Sequence, residues 1–352
     1  MQVPQMSAAI LFFSLCLPVA PGLAAGQAPV KNADTPLKPP PGATTLDNPT
    51  ALKELLASAE QGNASAQFSL GVMYHDGRGV ARDYAEAARW YRLAAEQGNA
   101  DAQLNLGVMY GQGHSVAQDY AEAARWYRLA AQQGKAAAQF FLGVTYHEGH
   151  GVARDYKEAA RWYRLAAEQG AADAQLNLAV MYHEGQGVAQ DDKEAARWYR
   201  LAGDQGAVAA QWILGVMYHE GRGLAKDYGE AARWLRLAAE QGKASAQFFL
   251  GLMCHDGQGV AKDYKEAARW YGLAAVQGNA DAQLNLGLMY GQGQGVAQDF
   301  IQAHMWFSLA GISGNTDGVK YRDIVAGKMT PDQIAESERL TREWKPKIGV
   351  PR

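Results

Sequence analysis

The sequence of 352 residues predicts an all-α protein: a superhelical α-solenoid of seven 36-residue helix-turn-helix repeats with a C-terminal capping helix. Two observations support this. The pair Gln-Gly returns every 36 residues from Gly62 to Gly278, and Gly314 continues the phase. The chain is also rich in alanine and glycine and sparse in β-branched residues, which disfavours a large β-sheet. A period of this length is typical of stacked repeat arrays.

Residues 1–25 are predicted to be a secretory signal peptide that is cleaved from the mature chain. Residues 7–20 are continuously apolar, but this stretch is shorter than the ~20 residues that a membrane span needs. Small residues follow at Gly22, Ala24 and Ala25, which suits a signal-peptidase site. The alternative is an uncleaved anchor. With cleavage, we expect a periplasmic or secreted protein without an integral membrane span.

The rest of the chain divides into three predicted segments. Residues 26–50 are rich in proline and lack an apolar period, so they are predicted to be a disordered linker. The solenoid is predicted over residues 51–310, and a cap and tail over 311–352. The predicted repeats are 59–94, 95–130, 131–166, 167–202, 203–238, 239–274 and 275–310.

Each repeat is predicted to form two helices, A and B. In the first repeat, helix A should run over about Ala64–Asp76, with Asn63 as its N-cap. Helix B should open at Asp83, where Glu86 three residues later predicts a reciprocal capping box. Gly98 should end helix B as its C′ residue. One helix pair cannot bury its apolar face alone, so successive pairs must stack.

The C-terminal segment contains one further helix start. Thr330 precedes Pro331, and proline favours the first turn of a helix. The following residues, QIAESERLTREW, are polar on one side, so we expect a helix that caps the last repeat.

These residues resemble a known family. The repeat reads A-x-x-x-LG-x-x-Y-x-x-G-x-GV-x-x-D-x-x-x-A-x-x-W-x-x-x-A-A-x-x-G, which is similar to the Sel1-like repeat, a relative of the tetratricopeptide repeat. The resemblance covers residues 59 to about 345. It implies an adaptor that binds proteins, of the exported bacterial type. The departures from the pattern are Ala179 for the glycine of Leu-Gly, Asp192 and Cys254 for tyrosines, and Ser115 for a loop glycine.

Composition and motifs argue against nucleic-acid binding, a disulfide framework, metal binding and catalysis. The net charge of −3 disfavours nucleic acid as a main partner. Two cysteines exclude a disulfide framework. His147-Glu148-Gly149-His150 is not the H-E-x-x-H metal motif. No nucleophile is paired with a base, so we expect no enzyme activity, no cofactor and no metal.

A column of histidines recurs at one repeat position, near the end of helix A. Each histidine is followed by an acidic residue. An imidazole in the last helical turn complements the helix dipole, and duplication copies any residue, so a structural role is one interpretation. A ligand-facing ladder is the other. The column consists of His75, His147, His183, His219 and His255.

Helix A also carries a second apolar face, opposite the one that packs on helix B. Helical rotation of about 100° per residue places it there. Related tetratricopeptide arrays bind peptides on this helix A face, so the resemblance implies a concave groove. Contact between successive A helices is the competing interpretation. The predicted partner-binding residues are Phe140, Leu176, Trp212 and Phe248, the histidine edge formed by His147, His183, His219 and His255, and the neighbouring amides Asn105 and Asn177.

Helix B carries two rows of arginines on its outer side, represented by Arg89 and Arg92. Glutamates at helical spacing predict a solvated and partly paired surface. A polyanion-binding strip is the alternative.

Together these patterns predict a non-enzymatic scaffold, expected to be monomeric, that binds a protein or peptide on the concave helix A surface. Two alternatives stay open from the sequence. One is an exported hydrolase of the kind labelled as β-lactamase among similar proteins. The other is a scaffold that organises envelope complexes.

Overall fold

The computed structural model describes residues 49–114 and 116–346, which form helices and contain no strand. The predicted signal peptide, almost all of the predicted linker and Ser115 lie outside these residues. The helices are α1 (Pro49–Glu60), α2 (Ala64–Asp76), α3 (Tyr84–Glu96), α4 (Ala100–Gln112), α5 (Tyr120–Gln132), α6 (Ala136–Glu148), α7 (Tyr156–Glu168), α8 (Ala172–Glu184), α9 (Asp192–Asp204), α10 (Val208–Glu220), α11 (Tyr228–Glu240), α12 (Ala244–Asp256), α13 (Tyr264–Ala275), α14 (Ala280–Gln292), α15 (Phe300–Ile312), α16 (Thr316–Ala326) and α17 (Pro331–Glu343).

The helices confirm the all-α solenoid of helix pairs. Even-numbered helices from α2 to α14 are the A helices, and odd-numbered helices from α3 to α15 are the B helices. The chain forms two compact units: the residues up to Gln133 with His150–Val152, and Gly134–Gly149 with the chain from Ala153 onward. Within each unit, a B helix packs against the A helix of its own repeat and against the next A helix.

The helix ends follow the predicted residues with one exception. Asn63 accepts a hydrogen bond from the Ala66 amide at 3.0 Å, and Asp83 accepts from the amide of Glu86 at 3.1 Å. The reciprocal half of the predicted capping box is wrong. The Glu86 carboxylate instead accepts from the Arg89 guanidinium at 3.0 Å, one helical turn further on. An aspartate N-cap alone therefore starts helix B.

Glycines set how closely the helices approach. A β-carbon at Gly143 of α6 would lie 2.6 Å from the ring of Tyr163 of α7, so this glycine lets the ring pack directly on the α6 backbone. The loop after helix A has a different requirement. Gly187 has a φ of +69°, and a β-carbon there would overlap the carbonyl of Tyr156 in the preceding repeat. This glycine therefore fixes the contact between consecutive repeats.

Buried glutamines join consecutive repeats by hydrogen bonds, a feature that the sequence analysis missed. The Gln175 amide donates to the carbonyl of Ala167 at 3.1 Å, and its oxygen accepts from Gln205 at 2.8 Å. Each such side chain thus ties the end of one B helix to the next repeat. The equivalent bonds join Gln67 to Ala59, Gln103 to Ala95, Gln211 to Gly203, Gln247 to Ala239 and Gln283 to Ala275.

Replacing one of these glutamines should destabilise the stack. In Gln211→Leu, the carbonyl of Gly203 loses its buried donor. The amide of Gln241 loses its nearer acceptor and keeps the carbonyl of Gly206 at 3.3 Å. An unsatisfied buried polar group costs ~1–3 kcal/mol, so we expect a loss of that size in the free energy of unfolding. Urea unfolding of the purified protein measures it. Gln241→Ala removes only the exposed end of the pair and serves as the control, with a smaller expected loss.

Each repeat also places one tryptophan of helix B in the core. These indole rings are buried, and their N–H groups have no hydrogen-bond acceptor among the described residues. A guanidinium lies over most of the rings, as Arg233 does over Trp234 at 4.5 Å. The column is Trp90, Trp126, Trp162, Trp198, Trp234, Trp270 and Trp306.

The C-terminal helices close the array in a way that the sequence predicted only in part. α17 starts at the predicted Thr330, which forms a capping box with Gln333. It packs against α15, where the ring of His304 and the hydroxyl of Ser337 form a hydrogen bond of 2.9 Å. α16, which was not predicted, packs on α15 as a further A helix.

Acidification from about pH 7.5 to about pH 5 should weaken the docking of α17. Burial, and then the charge of Arg322, lowers the pKa of His304, while Glu338 and Asp323 oppose this. The unfolded chain therefore binds a proton at a higher pH than the folded chain. Stability is then lost as the pH falls through the free imidazole pKa of ~6.5 toward the lower folded value.

Hydrogen exchange of the α17 amides at several pH values measures this effect. In His304→Gln, the hydrogen-exchange protection of these amides should depend less steeply on pH than in the wild-type protein. An unchanged pH dependence in that variant would show that another group controls the docking.

Candidate functional site

The predicted binding face lies along the A helices of the second unit. Phe140, Leu176, Trp212 and Phe248 occupy equivalent positions on α6, α8, α10 and α12, and each is half-buried. The opposite side of the same helices is closed, because Leu142, Leu178, Leu214 and Leu250 are fully buried. The helix A face therefore remains partly open to solvent.

Neighbouring rings support part of this face. The ring of Phe140 lies 5.9 Å from Tyr163, and that of Phe248 lies 5.9 Å from Tyr271, so each rests on helix B of its own repeat. Trp212 contacts a different neighbour.

Trp212 spans two repeats. Its ring meets Phe249 of the next A helix edge-on at 5.7 Å. Phe249 is itself half-buried and also contacts His219 at 5.0 Å. Packing between successive A helices thus accounts for one side of Trp212, as the competing interpretation expected, and the residue as a whole stays half-buried.

The predicted amides are only partly available. Asn177 donates a hydrogen bond of 2.7 Å to the carbonyl of Asp173, one turn earlier in α8. Its NH2 group has a second hydrogen that can still reach a ligand. Asn105 lies in α4 of the other compact unit and is half-buried.

The histidine column borders the face. Most of its members contact acidic or tyrosine side chains of their own repeat. Nδ1 of His147 lies 2.9 Å from Glu148, and Nδ1 of His255 lies 2.7 Å from Asp256. His147 also meets Tyr156 edge-on at 5.2 Å, the pattern that His219 and His255 repeat with their own tyrosines. Each ring is therefore oriented by a carboxylate, a tyrosine or both.

His183 differs because Asp192 replaces the tyrosine of its repeat. Nδ1 of His183 lies 2.6 Å from the Asp192 carboxylate, and Nε2 lies 3.4 Å from the Arg222 guanidinium. Arg222 also reaches Asp192 at 3.5 Å. The His183 ring therefore lies between a carboxylate at Nδ1 and a guanidinium, which only donates, at Nε2. Asp192 thus replaces the tyrosine ring contact of the other histidines with carboxylate contacts to His183 and Arg222.

The outer side of helix B is paired as the sequence predicted. Arg161 contacts Glu158 at 3.2 Å, and the same pairing recurs in the other B helices from α3 to α13. The second arginine row was not understood from sequence. Arg164 donates to the hydroxyl of Tyr182 in the next repeat at 2.6 Å. These arginines thus link repeats in addition to facing solvent.

Three further observations bear on metal binding, membrane crossing and thiol chemistry. The described residues contain no group of three or more histidine, cysteine or acidic side chains arranged to hold a metal ion. Among the helices described above, none combines the length and the apolar character that crossing a membrane requires. Cys254 is buried, and burial raises the pKa of its thiol.

Stacked helix pairs with an open face define the class of α-solenoid repeat proteins, which present surfaces rather than enclosed active sites. The chain belongs to the Sel1 repeat family. The Sel1 repeat matches it at residues 64–99, 100–135, 136–170, 172–206, 208–243, 244–279 and 280–315. Proteins with these repeats are generally protein-interaction scaffolds.

Solved structures support the same assignment. A Sel1 repeat protein from Oxalobacter formigenes is 38% identical, with a TM-score of 0.62, over 78% of this chain and 79% of that one. A protective antigen present in uropathogenic Escherichia coli strains, displaying an SLR fold, is 31% identical, with a TM-score of 0.51, over 84% of this chain and 86% of that one. No curated protein matches the chain.

Proposed function

We propose that the protein is a non-enzymatic scaffold that binds a protein or peptide segment on the helix A face of α6–α12. The observation that carries this proposal is the column of large apolar side chains that stay half-buried while the opposite side of each helix is closed. Aromatic side chains that are held in place but partly exposed are the usual anchors of protein interfaces.

The arrangement favours a segment with apolar side chains at intervals. Phe140, Leu176, Trp212 and Phe248 recur once per repeat, so a ligand lying across the A helices meets one apolar anchor in each. The histidine edge contributes oriented rings rather than free cations, because His147, His183 and His255 already face carboxylates. Partner selectivity is thus proposed to depend on shape and apolar contact more than on charge.

The proposal includes export to the periplasm or beyond. It is supported by the apolar stretch and small residues of the first 25 positions. The protective antigen of uropathogenic Escherichia coli, to which this chain is similar, is consistent with a protein that leaves the cytoplasm. N-terminal sequencing of the protein from fractionated native cells tests this part. A chain that starts at residue 1 in the cytoplasmic fraction would contradict it.

The decisive experiment on binding is Trp212→Ala. Affinity purification from native cells supplies the partner, and its Kd for the wild-type and variant proteins is then measured. We expect a loss of roughly 2 kcal/mol or more, the size typical of an interface hot spot. Trp212 should act in this way because it is the largest side chain of the face and lies near its centre.

Phe249→Ala is the matched control, since it removes the ring against which Trp212 packs. The melting temperature of both variants is measured beside the Kd. If Trp212→Ala lowers the melting temperature and leaves the Kd of the folded protein unchanged, Trp212 is a packing residue and the proposed face is wrong.

A further inference from the structure

One hydrogen bond links two consecutive A-type helices at their N-terminal ends. Asn315, the N-cap of α16, donates at 2.9 Å to the carboxylate of Asp281, the second residue of α14. Asp281 is half-buried in this contact. The second residue of one A helix therefore faces the N-cap residue of the next A helix, and polar side chains at these two positions pair across the gap between repeats.

α10 interrupts this pairing on both of its sides. Asp173 is the second residue of α8, and the N-cap of α10 is Ala207, which has no polar side-chain group. On the other side, Lys243 is the N-cap of α12, and the second residue of α10 is Ala209. Two side chains of opposite charge thus flank α10, and the position that would pair with each of them holds alanine.

Both charges are open to solvent. Within residues 49–114 and 116–346, neither the Asp173 carboxylate nor the Lys243 ammonium has a hydrogen-bond or ion-pair partner, and both residues are exposed. Asn177 donates to the backbone carbonyl of Asp173, not to its carboxylate. Glu240 ends α11 three residues before Lys243 and forms no ion pair with it. A charged ligand can therefore reach both groups.

The two charges border the centre of the helix A face. Trp212 lies three residues after Ala209, close to one turn along α10. Leu176 lies three residues after Asp173 on α8 in the same way. A segment that crosses α10 over Trp212 therefore has Asp173 near one end and Lys243 near the other.

We propose that the segment bound on the helix A face carries a basic side chain that pairs with Asp173 and an acidic side chain that pairs with Lys243. An apolar side chain between them rests on Trp212. This inference rests on the proposed function of that face. Apolar contact supplies most of the affinity, and the two charges fix which end of the segment lies over α8. Because neighbouring helices lie about 8–10 Å apart, α8 to α12 spans about 20 Å, or about six residues of extended chain.

The probe is a phage-displayed library of random 12-residue peptides, selected on the immobilised full chain. We expect the selected peptides to carry Lys or Arg and Asp or Glu about six residues apart, with a large apolar residue between them. The tightest of these peptides is then synthesised with a fluorescent label, and its Kd is measured by anisotropy.

Three variants test the charges on that peptide. Asp173→Asn and Lys243→Gln should each weaken binding about fivefold at low salt, and less at high salt. Ala207→Lys should weaken it by a similar factor while Asp173 stays in place, because the new ammonium pairs with Asp173 as Asn315 pairs with Asp281. The fold accommodates lysine at this position, since Lys243 is itself the N-cap of α12.

Asp281→Asn is the matched control. Its carboxylate already accepts from Asn315, so the Kd should change less than about twofold. Circular dichroism melts check that all variants fold. A second selection on Asp173→Lys should yield peptides with two acidic side chains in place of the basic and acidic pair, a change that a purely structural role of Asp173 would not produce.

The inference is overturned if the selected peptides lack the charge pair, or if Asp173→Asn leaves the Kd unchanged while Trp212→Ala weakens binding. In that case the helix A face still binds, and Asp173 and Lys243 are ordinary surface charges. If the library yields no saturable peptide, or if Trp212→Ala also leaves the Kd unchanged, the proposed function fails together with this inference.

Discussion

Gly187→Ala is expected to destabilise the protein by about 3 kcal/mol or more, although it adds only one methyl group. Two causes add. The φ of +69° at Gly187 is unfavourable for any residue with a β-carbon, by roughly 1–2 kcal/mol. The new methyl group would also overlap the carbonyl of Tyr156, and a backbone atom cannot rotate away as a side chain can. The contact between two consecutive repeats must therefore open.

Gly170→Ala separates the two causes. Gly170 has a φ of +89°, but no atom lies within 4 Å of the position that its β-carbon would take. This variant should lose only the conformational part, about 1 kcal/mol. Urea unfolding of both variants measures the difference. Equal destabilisation by the two substitutions would show that the loop does not fix the distance between repeats.

Gly143→Leu should have the second large effect. A β-carbon alone at this position would lie 2.6 Å from the Tyr163 ring, and three more carbon atoms cannot fit between α6 and α7. Overpacking of this kind typically costs ~1–3 kcal/mol, and here we expect the upper end because the ring is fully buried. A lower denaturation midpoint with retained helix content is the expected result.

Gly143→Ala is the companion variant. Ala179 occupies the equivalent position of α8, so the fold accommodates one methyl group when the opposing ring moves slightly. We expect a much smaller loss from this change than from leucine. If the leucine variant kept the wild-type midpoint, Gly143 would have to face solvent rather than the neighbouring helix.

The repeat fold was predictable because every repeat carries its own residues that mark where its helices start. Asn63 and Asp83 mark helix starts by local hydrogen bonds, which depend on residues two or three positions away. α1 was missed because it lacks the tyrosine and tryptophan that mark the B helices. The glutamine bonds were missed for a different reason. Gln205 reaches a partner 30 residues earlier, and spacing alone does not show which buried amide meets which carbonyl.

The candidate face was predictable in position but not in environment. Helical rotation places Trp212 opposite the packed side of α10, and the structure agrees. Rotation cannot show that Phe249 of the next repeat covers one side of it. Likewise, Asp192 is visible as a departure from the pattern, but its contacts with His183 and Arg222 depend on how two repeats stack.

The tryptophan column gives the protein two spectroscopically distinct classes of indole. Seven of the nine tryptophans are core residues at equivalent sites, beyond the reach of an aqueous collisional quencher. Trp212 and Trp344 are half-buried and can be reached. Iodide should therefore quench a small accessible fraction of the native fluorescence. A ligand on the helix A face would shield Trp212 and reduce that fraction, while the emission of the seven core tryptophans continues to report on the stacking of the repeats.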